Sequence, residues 1–498
     1  MIRKKLLYCR MSMNLYTALK KAVEKFPKKT AVFYEDDSFN FSEVLDKIDR
    51  FAKLLKAKGI KKGDNVTVLL RNKPELIYSF FACWKIGAAM VPLNFFYTTD
   101  ELIYILNDSR ALILISDDSF KEHFTRITEE ANNIKGIISW DNLTLPDTAE
   151  DGEEISSEDT AAILYTSGTT GHPKGAILTH RNFLSDVESC RGVVAVNHKD
   201  RAICFLPLFH SFALTVCLLL PVLHGGSVVL LPRILKGPKF LKLIFKRRIT
   251  LFVSIPQVYS LFVKVPSLIG RIALWSVNYF VSGADALPVN VLASFEKKFH
   301  KSILEGYGLT EAAPVVTFNP PELRKPGYIG KALPGIEIKI VNSEGKEMPV
   351  NEIGELIIKG DNVMKGYFEY PEATKNALRG GWLYTGDLGF KDEDDYIKIM
   401  DRKTDMFVCR GLNVYPREIE NVLRNLPQIE EAAVKGQKLK EDTMVAVAYI
   451  KKQNEISSSE IIAFCRKRLA NYKVPHHIIF VEDFPRTATG KISKKDIV

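Results

Sequence analysis

Between residues 44 and 116 the hydrophobic pattern alternates between helical spacing and short strand-like runs, and this alternation constrains the fold more than any other feature. Val44, Leu45, Ile48, Phe51, Ala52 and Leu55 recur at helical spacing, with Gly59 placed to end the helix. Asn65 to Leu70 (NVTVLL) reads as a buried strand. Pro74 opens a helix running through Trp84, Thr98 to Asn107 reads as a capped helix, and Ala111 to Ser116 (ALILIS) as the next strand. Such alternation predicts α/β layers with largely parallel sheets. Past about residue 327 the pattern changes. Ile336, Ile338 and Ile340 alternate, a turn (NSEG) follows and then GELIIKG, which predicts a small β-rich unit. A further break falls at Asp401-Arg402-Lys403-Thr404, followed by a compact α/β stretch.

A chain of 498 residues allows about three folding units, and cores of that size need neither disulfides nor a structural metal. Its 46% apolar and 26% charged residues argue against a disordered, collagen-like or coiled-coil chain. The longest apolar run, Phe212 to Leu223, is broken by Pro221 and falls short of the about 20 residues that cross a bilayer. The seven cysteines (9, 83, 190, 204, 217, 409 and 465) lack metal-ligand spacing, which disfavours a zinc site or disulfide framework and fits a reducing cytoplasm. Residues 1–13 have no signal-peptide core and read as an extension or a mis-set start. Lys and Arg number 69 against 59 Asp and Glu, a net charge of +10, and from Asp401 onward they number 18 against 13. That excess suits an anionic small molecule or an acidic membrane surface, or is a merely solvated basic surface. No basic–aromatic stripe supports nucleic acid.

The segment richest in chemistry is Tyr165-Thr166-Ser167-Gly168-Thr169-Thr170-Gly171-His172-Pro173-Lys174-Gly175, set between the strand-like runs AAILY and GAILTH. Glycines let several backbone N–H groups turn toward one point, hydroxyls add donors and Lys174 adds a positive charge, which together suit a polyphosphate. An ordinary surface turn shares the Gly and Ser/Thr content but does not call for Lys174. The GxxxxGK[ST] spacing is absent, so this is not a Walker A loop.

The run YTSGTTGHPKGAILTH resembles the signature of the acyl-adenylate-forming superfamily, which includes acyl-CoA synthetases, 4-coumarate–CoA ligase, peptide-synthetase adenylation domains and firefly luciferase. Further runs follow in that family's order: LPLFHSF (206–212), SGADALP (282–288), EGYGLTE (305–311), GWLYTGD (381–387), DRKTDMFVCRGLNVYPREIE (401–420) and PRTATGKI (485–492). The resemblance spans essentially the whole chain. It implies a large multi-subdomain N-terminal α/β domain (14–400) with mainly parallel sheets plus the small β-rich unit. A hinge (401–404) at Thr404 and a small mobile α+β C-terminal domain (405–498) complete it. It also implies ATP or AMP contacts from Thr166, Ser167, Gly168, Thr169, Thr170, Gly171, Lys174, Glu305, Gly306, Tyr307, Thr310, Asp387, Arg402 and Lys491. Catalytic parts are implied for Lys174, Thr310, Glu311 and Lys491, with Glu311 as the Mg²⁺ ligand. The acyl group is assigned to His210, Phe212, Ser282, Gly283 and Ala284, and coenzyme A to Arg410 and Gly411.

The residues admit these roles beside plainer ones. Tyr307 offers an aromatic face for adenine, Thr310 a hydroxyl for phosphate and Glu311 a hard oxygen for Mg²⁺, or the run is a strand-to-turn edge with a solvated glutamate. Asp387, expected in a turn after Gly386, accepts from ribose hydroxyls or closes an Asx turn; Arg402 joins it or is a surface arginine. His210 reads locally as a core histidine, and the resemblance makes it an orienting residue at the acyl carboxylate. Lys491 reads locally as solvated, and the resemblance makes it a bridge between acyl carboxylate and nucleotide during adenylation.

The implied activity is ATP-dependent conversion of a carboxylic acid, first of all a medium- to long-chain fatty acid, to acyl-AMP and pyrophosphate, then transfer to coenzyme A to give acyl-CoA and AMP. The whole-chain likeness is greatest to bacterial long-chain fatty acid–CoA ligases. Alternatives are an aryl or other acid–CoA ligase of the 4-coumarate or succinylbenzoate type, a ligase loading an acyl carrier protein, and a non-catalytic nucleotide-binding relative. Against the last stands the joint presence of Lys174, Glu311, Asp387, Arg402 and Lys491. Mg²⁺ is the expected cofactor, ATP and coenzyme A the co-substrates. The expected location is the cytoplasm, with peripheral contact at the inner face of the membrane left open, as is the choice of monomer or homodimer. Two positions depart from the family: Thr404 stands where relatives carry Lys or Asp, and Val408 where they carry a basic residue.

Overall fold

The computed structural model describes residues 13–148, 154–166, 173–235, 237–409, 412–438, 444–486 and 492–497. Helix Phe41–Ala57 starts at Asn40, whose side chain and that of Glu43 cap each other's backbone. It buries Val44, Ile48, Phe51, Ala52 and Leu55 and stops before Gly59, which takes the left-handed conformation at φ 84°. Helix Pro74–Lys85 is buried on all sides, and Trp84 Nε1 donates to the Ala161 carbonyl at 2.8 Å. Thr98 and Glu101 form a second reciprocal cap on helix Thr99–Asp108. The two expected strands are shorter than their apolar runs, Asn65–Val68 and Ile113–Ser116; Leu69, Leu70 and Ala111 lie beyond their ends and are buried.

The first sheet has seven strands, in the order Gly366–Tyr367, Lys174–Thr179, Thr160–Thr166, Ala89–Pro92, Asn65–Val68, Ile113–Ser116 and Gly136–Ser139. Pairings are parallel from Thr160–Thr166 onward and antiparallel at the first two steps. The second sheet has nine strands, parallel through Ile303–Gly308, Tyr279–Ser282, Leu251–Ser254, Arg201–Cys204, Ser227–Leu230 and Thr30–Tyr34, with antiparallel strands at both edges. The β-rich unit is antiparallel, built from Ile336–Val341, Gly354–Gly360, Trp382–Lys391 and Ile397–Arg402.

The C-terminal unit carries a hairpin, Phe407–Cys409 with Leu412–Val414, and a sheet of Ile429–Lys438, Met444–Lys452 and His477–Phe480. Helices Pro416–Leu423 and Ser458–Arg466 pack into a separate core around Ile419, Leu423, Val434, Ile450 and Ile461. The expected break at 401 lies slightly later in the structure. Asp401 and Arg402 finish strand Ile397–Arg402, held there by pairing with Leu388 and Asp387, and the turn falls on Lys403, Thr404 and Asp405. Cys83, Cys190, Cys204, Cys217, Cys409 and Cys465 are free and buried. Among the described residues no helix is long and apolar enough to cross a membrane.

Candidate active site

Two paired strands flank the Gly- and hydroxyl-rich segment in sequence. Thr160–Thr166 and Lys174–Thr179 run antiparallel, with Thr166 opposite Lys174 and its hydroxyl 3.5 Å from the Lys174 carbonyl. Ser167, Gly168, Thr169, Thr170 and Gly171 lie outside the described residues. The base of the hairpin is clamped by a network of phenols around one carboxylate. Tyr165 donates to Asp108 Oδ2 at 2.5 Å, Tyr370 donates to Asp108 Oδ1 at 2.9 Å, and Tyr104 lies 3.1 Å from Tyr370 and donates to the Pro173 carbonyl at 3.3 Å. Asp108 ends helix Thr99–Asp108, so that helix fixes where the hairpin points. Of these clamp residues only Tyr165, which opens the hydroxyl-rich run, carries a sequence signal; Tyr104, Asp108 and Tyr370 carry none.

Three residues from distant stretches meet at the edge of the β-rich unit. Tyr307, on strand Ile303–Gly308, donates its hydroxyl to Asp387 Oδ2 at 2.5 Å, and Arg402 Nε lies 3.4 Å from Asp387 Oδ1. Asp387 is nearly buried, whereas the Arg402 side chain is largely exposed. Asp387 sits within strand Trp382–Lys391, not in a turn, because it pairs in register with Arg402; the left-handed Gly386 (φ 74°) supplies the local bend. Burial, and next the Asp387 charge, push the Tyr307 phenol well above its usual pKa, so it remains a donor. Beside it, a Cβ on Gly306 would stand 3.0 Å from the Phe318 ring.

Thr310 and Glu311 follow on a short turn after the same strand. Tyr367 donates to Glu311 Oε1 at 2.8 Å, and Lys174 Nζ lies 5.9 Å from the centre of the Tyr367 ring. Tyr367 is brought there by its pairing with Ala176 on the hairpin's second strand. It thus links Lys174 to Glu311, a role no local pattern announced. The backbone fixes the turn as well, since Met364 N–H reaches the Glu311 carbonyl at 2.8 Å.

On the other side, Ser211 donates to Thr310 Oγ1 at 3.5 Å, which joins the LPLFHSF segment to the same turn. His210 is half-buried with its ring 4.5 Å from that of Phe209. A Cβ on Gly283 would stand 2.7 Å from the Phe212 ring, so the ring edge packs directly against Gly283, with the exposed, left-handed Ala284 (φ 68°) next in the chain. Phe212 leads into Ala213–Leu219, a π-helical stretch that is buried throughout. Such stretches are rare and gather at functional sites.

Ser254, Ser282 and Glu305 occupy matched positions on three adjacent parallel strands. The hydroxyls of Ser254 and Ser282 are buried with no hydrogen-bond partner among the described residues, a cost of about 1–3 kcal/mol each. Glu305 accepts from Gly327 N–H at 3.3 Å, and burial pushes its carboxyl up to about 7. Its folded pKa therefore lies above the unfolded value of 4.5. Stability from this group is full below pH 4.5 and falls as pH rises toward 7, since the unfolded chain releases a proton that the folded one keeps. The loss is on the order of 3 kcal/mol. Thermal melting across that window should show the decline in the native protein and its removal in Glu305→Gln; parallel curves would detach the effect from Glu305.

The C-terminal unit touches this region through Arg417, whose Nη2 lies 3.2 Å from Asp285 Oδ1 and whose N–H reaches Asp401 Oδ2 at 2.8 Å. Thr404 donates to Asp405 Oδ1 at 3.2 Å, and Lys403 N–H holds the Gly386 carbonyl at 2.8 Å. Val408 is exposed on the hairpin. Arg410, Gly411 and Lys491 lie outside the described residues.

Residues 19–368 match the family model described as AMP-binding enzyme, and residues 418–491 match the AMP-binding enzyme C-terminal domain. The chain belongs to the AMP-binding enzyme family. Among curated relatives of this AMP-binding enzyme is the long-chain-fatty-acid–CoA ligase of Bacillus subtilis, 33% identical, with 97% of this chain and 94% of the relative covered. Among solved structures, the anthranilate CoA ligase AuaEII in complex with anthranoyl-AMP superposes with a TM-score of 0.90 at 29% identity, covering 97% of this chain and 96% of that one. O-succinylbenzoate coenzyme A synthetase from Bacillus subtilis, in complex with ATP and magnesium ion, does so at 0.88 and 31%, covering 97% and 99%.

Proposed function

We propose that this AMP-binding enzyme is an acid–CoA ligase that forms an acyl-adenylate and then an acyl-CoA, and that its acid is a medium- to long-chain fatty acid. The observation that carries the reading is the convergence of Tyr307, Asp387 and Arg402, with Glu311 on the turn that follows the strand of Tyr307. A carboxylate flanked by a phenol and a guanidinium offers ribose hydroxyls a fixed charged acceptor and the adenine an aromatic wall. The paired strands that carry Thr166 and Lys174, together with Ser167, Gly168, Thr169, Thr170 and Gly171 of the intervening sequence, hold the phosphates. Glu305 and Gly306 form the floor beneath the nucleotide.

Adenylation requires two anions to meet, the acid's carboxylate and the α-phosphate of ATP, with pyrophosphate leaving. Lys174 and Thr310 orient and neutralise the phosphates, and Lys491 does so where the carboxylate approaches. Glu311 fits Mg²⁺: it is a hard oxygen donor, half-buried and oriented by the Tyr367 hydroxyl, and Mg²⁺ commonly takes its other ligands from water and substrate phosphates. When bound, the metal supplies charge neutralisation on those phosphates. His210 and Ser211 face the carboxylate end, and Phe212, Ser282, Gly283 and Ala284 border the acyl group. The buried apolar stretch Ala213–Leu219 supports an aliphatic chain. The small unit turns about Thr404, withdraws Lys491 and presents Arg410 and Gly411 to coenzyme A. We place the enzyme in the cytoplasm.

The anthranoyl-AMP and succinylbenzoate structures favour a second reading, an aryl acid as substrate. ATP–pyrophosphate exchange across fatty acids of graded length and aromatic acids, followed by product analysis with coenzyme A and with acyl carrier protein, separates them. Exchange should be strongest with an aliphatic acid of eight or more carbons, by about tenfold or more over benzoates, as each methylene buried contributes about 0.8 kcal/mol. A preference for aromatic acids would move the substrate to the second reading, and no exchange with any acid would sink the ligase reading.

A further inference from the structure

From Arg201 to Ala284 the chain contains no Asp or Glu and ten Lys and Arg, while the remainder holds 59 of each sign. The whole net charge of +10 therefore resides in this stretch. Helix Pro238–Arg247 buries Phe240 and Ile244 and exposes Lys239, Lys242, Phe245 and Lys246. Beside it packs helix Ser267–Ala273, whose polarity is the reverse of a surface helix. Its inward side is Gly270 and Ala273, with Gly270 so close to Phe299 that a Cβ would stand 2.1 Å from the ring. Outward stand Leu268, Ile269, Ile272 and, just past the helix, Trp275, each between 53% and 72% exposed, with Leu261 of helix Pro256–Val263 also exposed. Among the described residues no ion pair engages Lys239, Lys242, Lys246, Arg248 or Lys264.

We propose that this face docks on an anionic lipid bilayer, with Leu268, Ile269, Ile272 and Trp275 entering the interface and the surrounding lysines meeting acidic headgroups. A protein-binding patch is depleted in lysine at its core, whereas an interfacial helix combines aliphatic and Trp side chains with Lys and Arg. With no carboxylate in their 84 residues, the segments that form this face have none of their own to repel acidic headgroups. The proposal stands independently of which acid the enzyme activates.

The test is flotation of the full-length protein with vesicles of phosphatidylcholine alone or with about one-third phosphatidylglycerol, at low and physiological salt. Binding should favour the anionic vesicles and weaken with salt. Lys242→Gln/Lys246→Gln should lower partition about thirtyfold, and Ile269→Ser/Ile272→Ser on the order of a hundredfold. A blue shift of emission on binding should vanish in Trp275→Phe. All these variants should keep the native melting point and acyl-AMP formation from a water-soluble short acid. Absence of vesicle binding, equal binding to both vesicle types, or binding that survives Ile269→Ser/Ile272→Ser would each overturn the proposal. So would a concentration-dependent dimer that the same double substitution dissolves, which would give the face to a second copy of the chain.

Discussion

Asp387→Ala should lower kcat/KM for ATP in acyl-AMP formation about a thousandfold while leaving a folded protein. The carboxylate is nearly buried, with one oxygen bound by Tyr307 at 2.5 Å and the other 3.4 Å from Arg402 Nε. Each oxygen retains a lone pair for a ribose hydroxyl, and hydrogen bonds to a charged group contribute about 1.5–3 kcal/mol apiece. Loss of two such bonds corresponds to a factor on the order of a hundred to ten thousand. Tyr307→Phe removes only the orienting donor and should cost about tenfold. Calorimetric ATP titration beside thermal melting separates binding from folding. If Asp387→Ala melts earlier but binds ATP with native affinity once folded, Asp387 is a tether between strands and not a nucleotide contact.

The parts legible in advance are those written in local pattern. The 44–55 periodicity is a helix because its apolar residues fall on one stripe, and its end is visible because only Gly59 accommodates the φ of 84° there. The antiparallel edges of both large sheets were not legible. Strand Gly366–Tyr367 joins the first sheet against residues about 190 positions earlier, and two residues carry no periodicity. Tyr367 was missed for the same reason, though it links Lys174 to Glu311. Ser254 escaped because a serine closing an apolar strand looks like a strand end; only its register with Ser282 and Glu305 reveals a polar row. Asp387 was expected in a turn because Gly386 precedes it, yet pairing with Arg402 extends the strand through both. In each case the deciding partner is distant in sequence, and single-residue chemistry does not name it.

Lys491→Ala should reduce acyl-AMP synthesis from free acid by about two to three orders of magnitude and spare coenzyme A transfer onto supplied acyl-AMP. The residues on either side of 487–491 are firmly held. Arg486 and Ile492 form an isolated antiparallel bridge, Ser493 N–H reaches the Pro485 carbonyl at 2.8 Å, and Lys494 Nζ lies 2.8 Å from Glu420 Oε1. A lysine at this point of the sequence suits a reaction in which two anions converge, since a cation acts most where negative charge crowds at the transition state. Thioesterification begins from a neutral acyl carbonyl already joined to the singly charged phosphate of AMP, so no free carboxylate has to approach a phosphate, and the two half-reactions should respond differently. Both can be measured on one preparation, with Lys494→Ala as a control that loosens the anchor through Glu420 without removing the proposed cation. If Lys491→Ala and Lys494→Ala depress both half-reactions equally, the lysine's effect is structural. If only adenylation falls, and only in Lys491→Ala, the cation belongs to the adenylating arrangement alone, and the C-terminal unit must move between the two steps.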